Sequence, residues 1–257
     1  MARLDSAWRS GVIGACFVLF GIGGIVLSLF VFPLLRLMPG GRAPRERRAR
    51  VLVRWSFLAL LGLLQALRIL RLEKRNLAAL RNTGPALVLA NHPCYLDIVV
   101  LIAHIPDAIC VVKSALWRNP FLGGVVRAAG YIRNDKPETL VPSCAAGLAR
   151  GLPLVIFPEG TRSAPDAPLH FVRGAAHIAL ATGVPILPVI LRCEPRVLAP
   201  GAKWYRMPPR TFSISVEALP ATSAAALLPV KRGARSLTQV LERFFIDHLQ
   251  GHERLAA

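Results

Sequence analysis

The sequence predicts an α/β protein: a mainly parallel mixed sheet flanked by helices, preceded by an N-terminal membrane-associated helical pair. Three observations carry this. From residue 83 onward, short β-branched runs bounded by Gly, Pro and Asn alternate with helix-like stretches, the pattern of parallel strands covered on both faces. Before residue 72 the chain is strongly apolar, and this lifts the mean hydropathy to +0.48. Arginines crowd the boundary between the two parts.

The first element is "GVIGACFVLFGIGGIVLSLFVFPLL", Gly11 to Leu35, which lacks any charged residue. As a helix it is about 37 Å long, enough to cross a hydrocarbon core of about 30 Å with some tilt. It is too long for a signal-peptide core and no A-x-A-like site follows, so it is expected to stay on the protein. Arg36, Arg42, Arg45, Arg47, Arg48, Arg50 and Arg54 follow it, diluted only by Glu46, whereas Arg3 and Arg9 face Asp5 on the other flank. By the positive-inside rule the rest of the chain is cytoplasmic. "WSFLALLGLLQAL", Trp55 to Leu67, is about two-thirds of a crossing and reads as a helix in the interface or packed on the first, with a second span as the alternative. Residues 1–74 are therefore expected to form membrane-anchoring helices with a basic linker, and 75–257 the α/β domain.

Within that domain the expected strands are Ala86–Ala90, Ala108–Val112, Leu152–Phe157, Pro185–Arg192 and Thr211–Ala218. The expected helices are Pro93–His104, Asn119–Ala129, Leu140–Arg150, Gly174–Thr182 and Ser236–Leu249.

Thirty-two Lys and Arg against fourteen Asp and Glu give a net charge of +18, which draws the chain to a polyanion. The apolar N-terminus favours an anionic membrane surface over nucleic acid, and no zinc-finger spacing, ribonucleoprotein motif or heptad-borne basic region argues otherwise. Cys16, Cys94, Cys110, Cys144 and Cys193 are odd in number and contain no CxxC pair, which suits a reducing compartment rather than a disulfide framework or zinc site.

Three polar clusters interrupt the domain. In "NHPCYLD" the strand Ala86–Ala90 delivers Asn91 and His92 to its C-terminal edge, where open α/β sheets place their sites. Pro93 suits the first turn of a helix, and Asp97 four residues on can turn back to hold one imidazole nitrogen while the other takes a proton. The competing reading is an N-terminal cap around Asn91 with an incidental histidine. In "FPEGTRS", Phe157 to Ser163, a Gly-Thr turn offers backbone N–H groups to an anion, Arg162 offers a planar fork for phosphate, and Glu159 offers an acceptor to a polyol. An ordinary turn with a surface ion pair is the alternative. The third cluster places Lys113, Arg118, Arg127, Arg133 and Lys136 around an apolar helix, as a solvated face or with one or two aimed into an anion pocket.

Taken in order, NHxxxxD, a glycine with a downstream basic residue, FPEGTR and "VPILPV" (Val184 to Val189) strongly resemble the motif set of the glycerolipid acyltransferases. The chain resembles bacterial 1-acyl-sn-glycerol-3-phosphate acyltransferases over roughly residues 75–220. That resemblance implies that His92 is the general base and Asp97 its partner. It places Lys113, Glu159, Gly160, Thr161 and Arg162 at positions associated with the phosphate and glycerol of the acceptor. Lys136 stands where the family's second motif has an arginine, leaving Arg133 three residues early, and Cys94 stands where serine is frequent; both join the expected substrate-binding residues. The resemblance further implies a hydrophobic groove for the acyl chain and a bacterial inner-membrane location. The implied reaction moves a fatty acyl group from an acyl-carrier protein or coenzyme A thioester to a lysolipid hydroxyl, with no cofactor and no metal.

The stretch from Val111 to Ile132 also resembles acyltransferases of aryl polyene or other specialised lipid pathways, so the acceptor stays open. Other readings are a non-catalytic lipid-binding protein of the membrane surface and a metalloenzyme using His248 and His252. The absence of HExxH weighs against the second, and the absence of G-x-S-x-G against a serine lipase. Cys94 as an acyl-cysteine nucleophile remains a further option.

Overall fold

The computed structural model describes residues 2–163, 167–197, 208, 210–228 and 233–256. The chain runs through α1 (Ala2–Val26), a π-helical turn (Leu27–Val31), α2 (Phe32–Leu34), α3 (Arg42–Ala66), β1 (Leu70–Arg75), α4 (Leu77–Arg81), β2 (Leu87–Ala90) and α5 (Asp97–His104). It continues with β3 (Ile109–Lys113), α6 (Ser114–Arg118), α7 (Gly123–Ala128), β4 (Ile132–Asn134), α8 (Pro137–Ala149) and β5 (Leu154–Ile156). The last elements are α9 (Gly174–Thr182), β6 (Ile186–Glu194), β7 (Phe212–Ala218), α10 (Ala224–Leu227) and α11 (Ala234–Ala256).

The seven strands lie in the order β1-β7-β6-β2-β5-β3-β4. All neighbours are parallel except β6 and β7. β2 is central, and each of its residues is buried because helices cover both faces. The register Leu87↔Leu154 on one side and Leu87↔Ile186 on the other stacks three strand ends, so that residues 91–93, 157–163 and 192–194 share one edge. β7 instead alternates buried and half-exposed residues, Phe212, Ile214 and Val216 inward and Ser213, Ser215 and Glu217 outward, leaving a polar strip on that part of the sheet.

Several expectations are corrected. The helix expected from Pro93 begins at Asp97, and residues 93–96 form bends and a turn. The helix expected over Asn119–Ala129 is confined to Gly123–Ala128, because the Asn119 side chain accepts from the N–H groups of Phe121 and Leu122 and holds a turn there. The basic stretch is helical rather than a linker: Arg42 to Ala66 is one 25-residue helix, of which the Trp55 stretch is the second half. β1 and β4 are additions to the expected strands, and the expected domain boundary at 74/75 falls inside β1.

Two helical segments, Ala7–Leu34 and Arg42–Ala66, are long and apolar enough to cross a membrane. Each also binds the domain through one face. α3 places Ala49, Val53, Leu61 and Leu64 in the core, donates from Arg54 to the Ala103 carbonyl at 3.1 Å, and pairs Arg50 with Asp107 at 2.7 Å. Glu46, 5% exposed, meets Arg42 at 2.7 Å and Arg150 at 2.9 Å. Its carboxylate lies against the turn at Gly130, where φ is +70° and a Cβ would stand 2.8 Å from the Glu46 carboxyl carbon, so only glycine fits. The outer faces stay apolar and uncovered: Trp8, Leu19, Leu29, Phe30, Trp55 and Leu63 are all exposed.

Candidate active site

β2 ends at Ala90, and the next residue locks the chain in place. The Asn91 amide donates to the Leu191 carbonyl at 2.7 Å and accepts from the Leu191 N–H at 2.8 Å, a side-chain continuation of the ladder onto β6. His92 follows. Its N–H donates to Glu159 Oε1 at 2.9 Å, its carbonyl accepts from the Ser163 N–H at 2.8 Å, and its ring stacks on Phe157 at 4.0 Å and 16°. The imidazole thus has its backbone clamped by the 157–163 segment and one face covered by Phe157.

The 93–96 turn then brings Asp97 back to the ring. Asp97 Oδ2 stands 2.9 Å from His92 Nδ1 and accepts from the Cys94 N–H at 2.7 Å, while Oδ1 accepts from the Cys94 thiol at 3.1 Å. The turn over 93–96, with the helix beginning at Asp97, lets the carboxylate reach back to both the ring and the Cys94 N–H. Asp97 is fully buried, and burial pushes its carboxyl above the usual range, opposed by the hydrogen bonds from His92 and Cys94. An ionised Asp97 can only accept, so Nδ1 carries the proton and Nε2 keeps its lone pair as a base.

Glu159 Oε1 accepts from both His92 N–H and the Ser163 hydroxyl, each at 2.9 Å, so that oxygen serves the loop that carries the base. Burial raises its carboxyl too. Gly160, at φ +66°, makes the turn that returns the chain, with its N–H on the Phe157 carbonyl. Thr161 is exposed on the rim, and Arg162 lies with its guanidinium carbon 3.7 Å from the centroid of the Tyr95 ring. Lys113 ends β3 on the same sheet edge, in register with Asn134. Lys136 is exposed just beyond β4.

Cys94 is a correction. Expected among the substrate-binding residues, it is fully buried beneath the dyad. Its hydrogen bond with the Cys193 thiol, with burial and Asp97 adding to it, raises its thiol well above the usual range, and its Sγ lies 3.1 Å from Asp97 Oδ1 with no surface open to a substrate. Phe157, Ser163 and Tyr95 carry no signal of their own in the sequence; only a fold that brings residues 92 and 159 together gives them meaning. A cavity of about 850 Å³ adjoins the site, lined by Asn91, Glu159, Arg192, Ser213 and Ser215 among others, within the size range of ligand sites. Among the described residues no three His, Cys, Asp or Glu gather as a metal site, and the side chain of His252 lies outside the described residues.

A buried carboxylate hydrogen-bonded to a histidine at the C-terminal edge of an α/β sheet, beside a turn and a rim of cations, is an arrangement able to take a proton from a bound hydroxyl. Residues 71–192 match the family model described as Acyltransferase. The chain is similar to the 1-acyl-sn-glycerol-3-phosphate acyltransferase of Helicobacter pylori, at 37% identity over 43% of this chain and 49% of that protein. The Salmonella typhimurium protein of the same name is 34% identical over 52% of this chain and 58% of its own length. The alpha form from Mus musculus is 27% identical over 72% and 69%. The chain thus spans about half the length of the first two relatives. The crystal structure of the 1-acyl-sn-glycerophosphate acyltransferase from Thermotoga maritima shares the fold, with a TM-score of 0.63 at 18% identity over 100% of this chain and 98% of that one.

Proposed function

We propose that this protein is an O-acyltransferase that moves a fatty acyl group from an acyl-carrier protein or coenzyme A thioester to the free hydroxyl of 1-acyl-sn-glycerol-3-phosphate, giving phosphatidic acid. The observation that carries the reading is the His92–Asp97 pair at 2.9 Å, held within the segment that matches the Acyltransferase family model. The acceptor hydroxyl gives its proton to His92 Nε2 as its oxygen attacks the thioester carbonyl. Asp97 stabilises the imidazolium, and collapse of the tetrahedral intermediate expels the thiol, which takes the proton back from His92. Backbone N–H groups near Gly160 supply donors for the oxyanion. Arg162, Lys113 and Lys136 receive the acceptor's phosphate. No covalent acyl-enzyme forms, in keeping with a fully buried Cys94 whose thiol is raised well above the usual range.

The uncovered apolar faces of α1 and α3 support docking on the bacterial inner membrane with the sheet edge on the cytoplasmic side, where arginines meet anionic lipid. Membranes bearing wild type or His92→Ala, fed lysophosphatidic acid with each thioester in turn, test the reading by lipid mass spectrometry. New phosphatidic acid from wild type alone is the expected result. Equal product from both would overturn it, and lysolipid binding without product would leave a non-catalytic lipid-binding protein.

A further inference from the structure

Acyl transfer without a covalent intermediate needs both substrates at His92 together, so the thioester needs an approach of its own. The strand order sets β5, β3 and β4 on one side of β2 and β6, β7 and β1 on the other. Lys113 and Lys136, which receive the acceptor's phosphate in the proposed reaction, stand at the end of β3 and just beyond β4. The cavity of about 850 Å³ lies toward the opposite side. At its inner end it is lined by Asn91 and Pro93, which flank His92, and by Glu159 and Ser163. Its floor is the polar strip of the sheet, where Glu73, Ser215 and Arg192 stand abreast on β1, β7 and β6. Ile246, Leu249 and Gln250 line it from α11, a helix tied to the floor by the Arg192 guanidinium, which donates to the His248 carbonyl at 2.7 Å.

This lining is polar without being cationic. Its three arginines stand among four glutamates, and Arg192 lies 3.6 Å from Glu217. Charges matched in this way offer a phosphate no net attraction, whereas the Ser213 and Ser215 hydroxyls, each both donor and acceptor, suit a neutral chain of amides. We infer that the cavity takes the pantetheine arm common to coenzyme A and acyl-carrier protein, laid across the β6–β7 strip with its thioester end at Asn91 and Pro93. This rests on the function proposed above. The arm is neutral, with two amides, a hydroxyl and a pair of geminal methyls that match the apolar side chains of Ile246 and Leu249. The volume falls within the roughly 300–1,000 Å³ of ordinary ligand sites. The two donors differ only beyond the arm's phosphate, which stays outside the matched charges. Acceptor and donor then reach the imidazole from opposite halves of the sheet, and neither has to leave before the other enters.

The test fills the floor of the cavity at Ser215, which stands two strands across from β2, about 10 Å from the dyad's segment at ordinary strand spacing. Ser215→Trp should raise the KM for acyl-coenzyme A and for acyl-carrier-protein thioester alike by roughly 10-fold, the effect of losing one or two hydrogen bonds, with the KM for lysophosphatidic acid unchanged. An acyl-N-acetylcysteamine thioester carries a single amide and ends before Ser215, so wild type and variant should use it equally, which also shows that the variant is folded. An equal loss on this truncated donor, or a rise in the lysophosphatidic acid KM instead, would overturn the assignment. A loss confined to acyl-coenzyme A would overturn it too, since the cavity would then be reading the nucleotide. A readout without turnover separates this from the proposed reaction. The five native cysteines are buried, so Ser215→Cys gives the full-length detergent-solubilised protein a thiol on the cavity floor for a maleimide, with wild type as the blank. S-methylpantetheine and S-methyl-coenzyme A, thioethers that cannot consume the reagent, should slow its labelling several-fold, and glycerol phosphate should not. Such protection upholds the arm site even where wild type transfers no acyl group; labelling untouched by both thioethers, or slowed by glycerol phosphate, refutes it.

Discussion

Asp97 and Glu46 are both carboxylates removed from water, and the difference between them is the number of permanent cations each can reach. Glu46, on α3, meets Arg42 at 2.7 Å, Arg150 at 2.9 Å and Arg50 at 3.9 Å, charges that do not come and go. Asp97 has a histidine, a thiol and one backbone N–H, and burial drives its carboxyl upward. The first arrangement is a clamp that joins α3 to the turn at Gly130. The second is a buried carboxylate held by hydrogen bonds, with no arginine or lysine paired to it among the described residues. A carboxylate saturated with arginines holds two elements together; one held by a ring, a thiol and a backbone N–H orients the ring.

Removing the ring should have the largest effect. His92→Ala is expected to lower acyl transfer by roughly 10²- to 10⁴-fold with the fold retained by circular dichroism, because the ring lies at the sheet edge beside the site. Retained turnover in a steady-state assay would refute the base.

Next comes the clamp. Glu46→Gln weakens the acceptor that Arg42 and Arg150 share and removes the charge 3.9 Å from the buried Arg50, and should cost about 3 kcal/mol of stability in detergent-solubilised protein, with little change in the KM of either substrate for the part that stays folded. A loss below about 1 kcal/mol in thermal or denaturant unfolding would show that the arginines are satisfied without it.

Asp97→Asn should separate chemistry from stability. Turnover should fall by roughly 10- to 100-fold, since an amide orients the ring without supporting its charge. Stability should move the other way. The folded carboxyl holds its proton more tightly than the unfolded chain does, so ionising Asp97 lowers stability as pH rises from the ordinary carboxylate range through its raised value. The variant lacks that slope and should unfold at a higher temperature than wild type at pH 7, with the gain vanishing below about pH 4. Parallel melting curves across that range would contradict the raised carboxyl.

The smallest effect belongs to Cys94. Cys94→Ala removes one thiol donor from Asp97 Oδ1 while the backbone donor to Oδ2 remains, so activity should fall by no more than about 5-fold. Complete inactivation, measured with folded protein, would restore the nucleophile reading.

The dyad is legible in the amino-acid sequence as a spacing that lets Asp97 reach His92, with the full motif set, rather than the pair alone, setting aside an incidental histidine. Five interior strands are legible: Leu87–Ala90, Ile109–Lys113, Leu154–Ile156 and Ile186–Glu194 as largely apolar runs with turn residues nearby, and Phe212–Ala218 as an alternating run. β1 escapes such a reading because Leu70–Arg75 runs L-R-L-E-K-R; an edge strand with one buried residue carries little apolar signal. β4 is three residues long and disappears inside a basic stretch. The extent of α3 is hidden because Arg50 and Glu46 look like solvated charges along the chain and become partners of Asp107 and Arg150 only once it is folded. The stacking of His92 on Phe157 and of Tyr95 under Arg162 belongs to tertiary structure alone.

Three residues, Leu67 to Ile69, separate the end of α3 from the start of β1, and they are not slack. Their N–H groups bond back to the carbonyls of Leu63, Gln65 and Leu64, Arg68 takes φ +55°, and the Arg68 carbonyl accepts from Arg9 at 3.0 Å and from the Thr211 hydroxyl at 2.7 Å. A joint tied by these hydrogen bonds makes the helices a depth gauge, setting the altitude of His92 over the apolar sole of α1 and α3. Under the proposed acyl transfer, headgroup bulk and the level at which the acceptor rides in a leaflet would then act as selection filters in their own right. Splicing a short Gly-Ser stretch into the joint should relax that filter and narrow the rate difference between acceptors of unequal headgroup size, at some loss of rate on the preferred one.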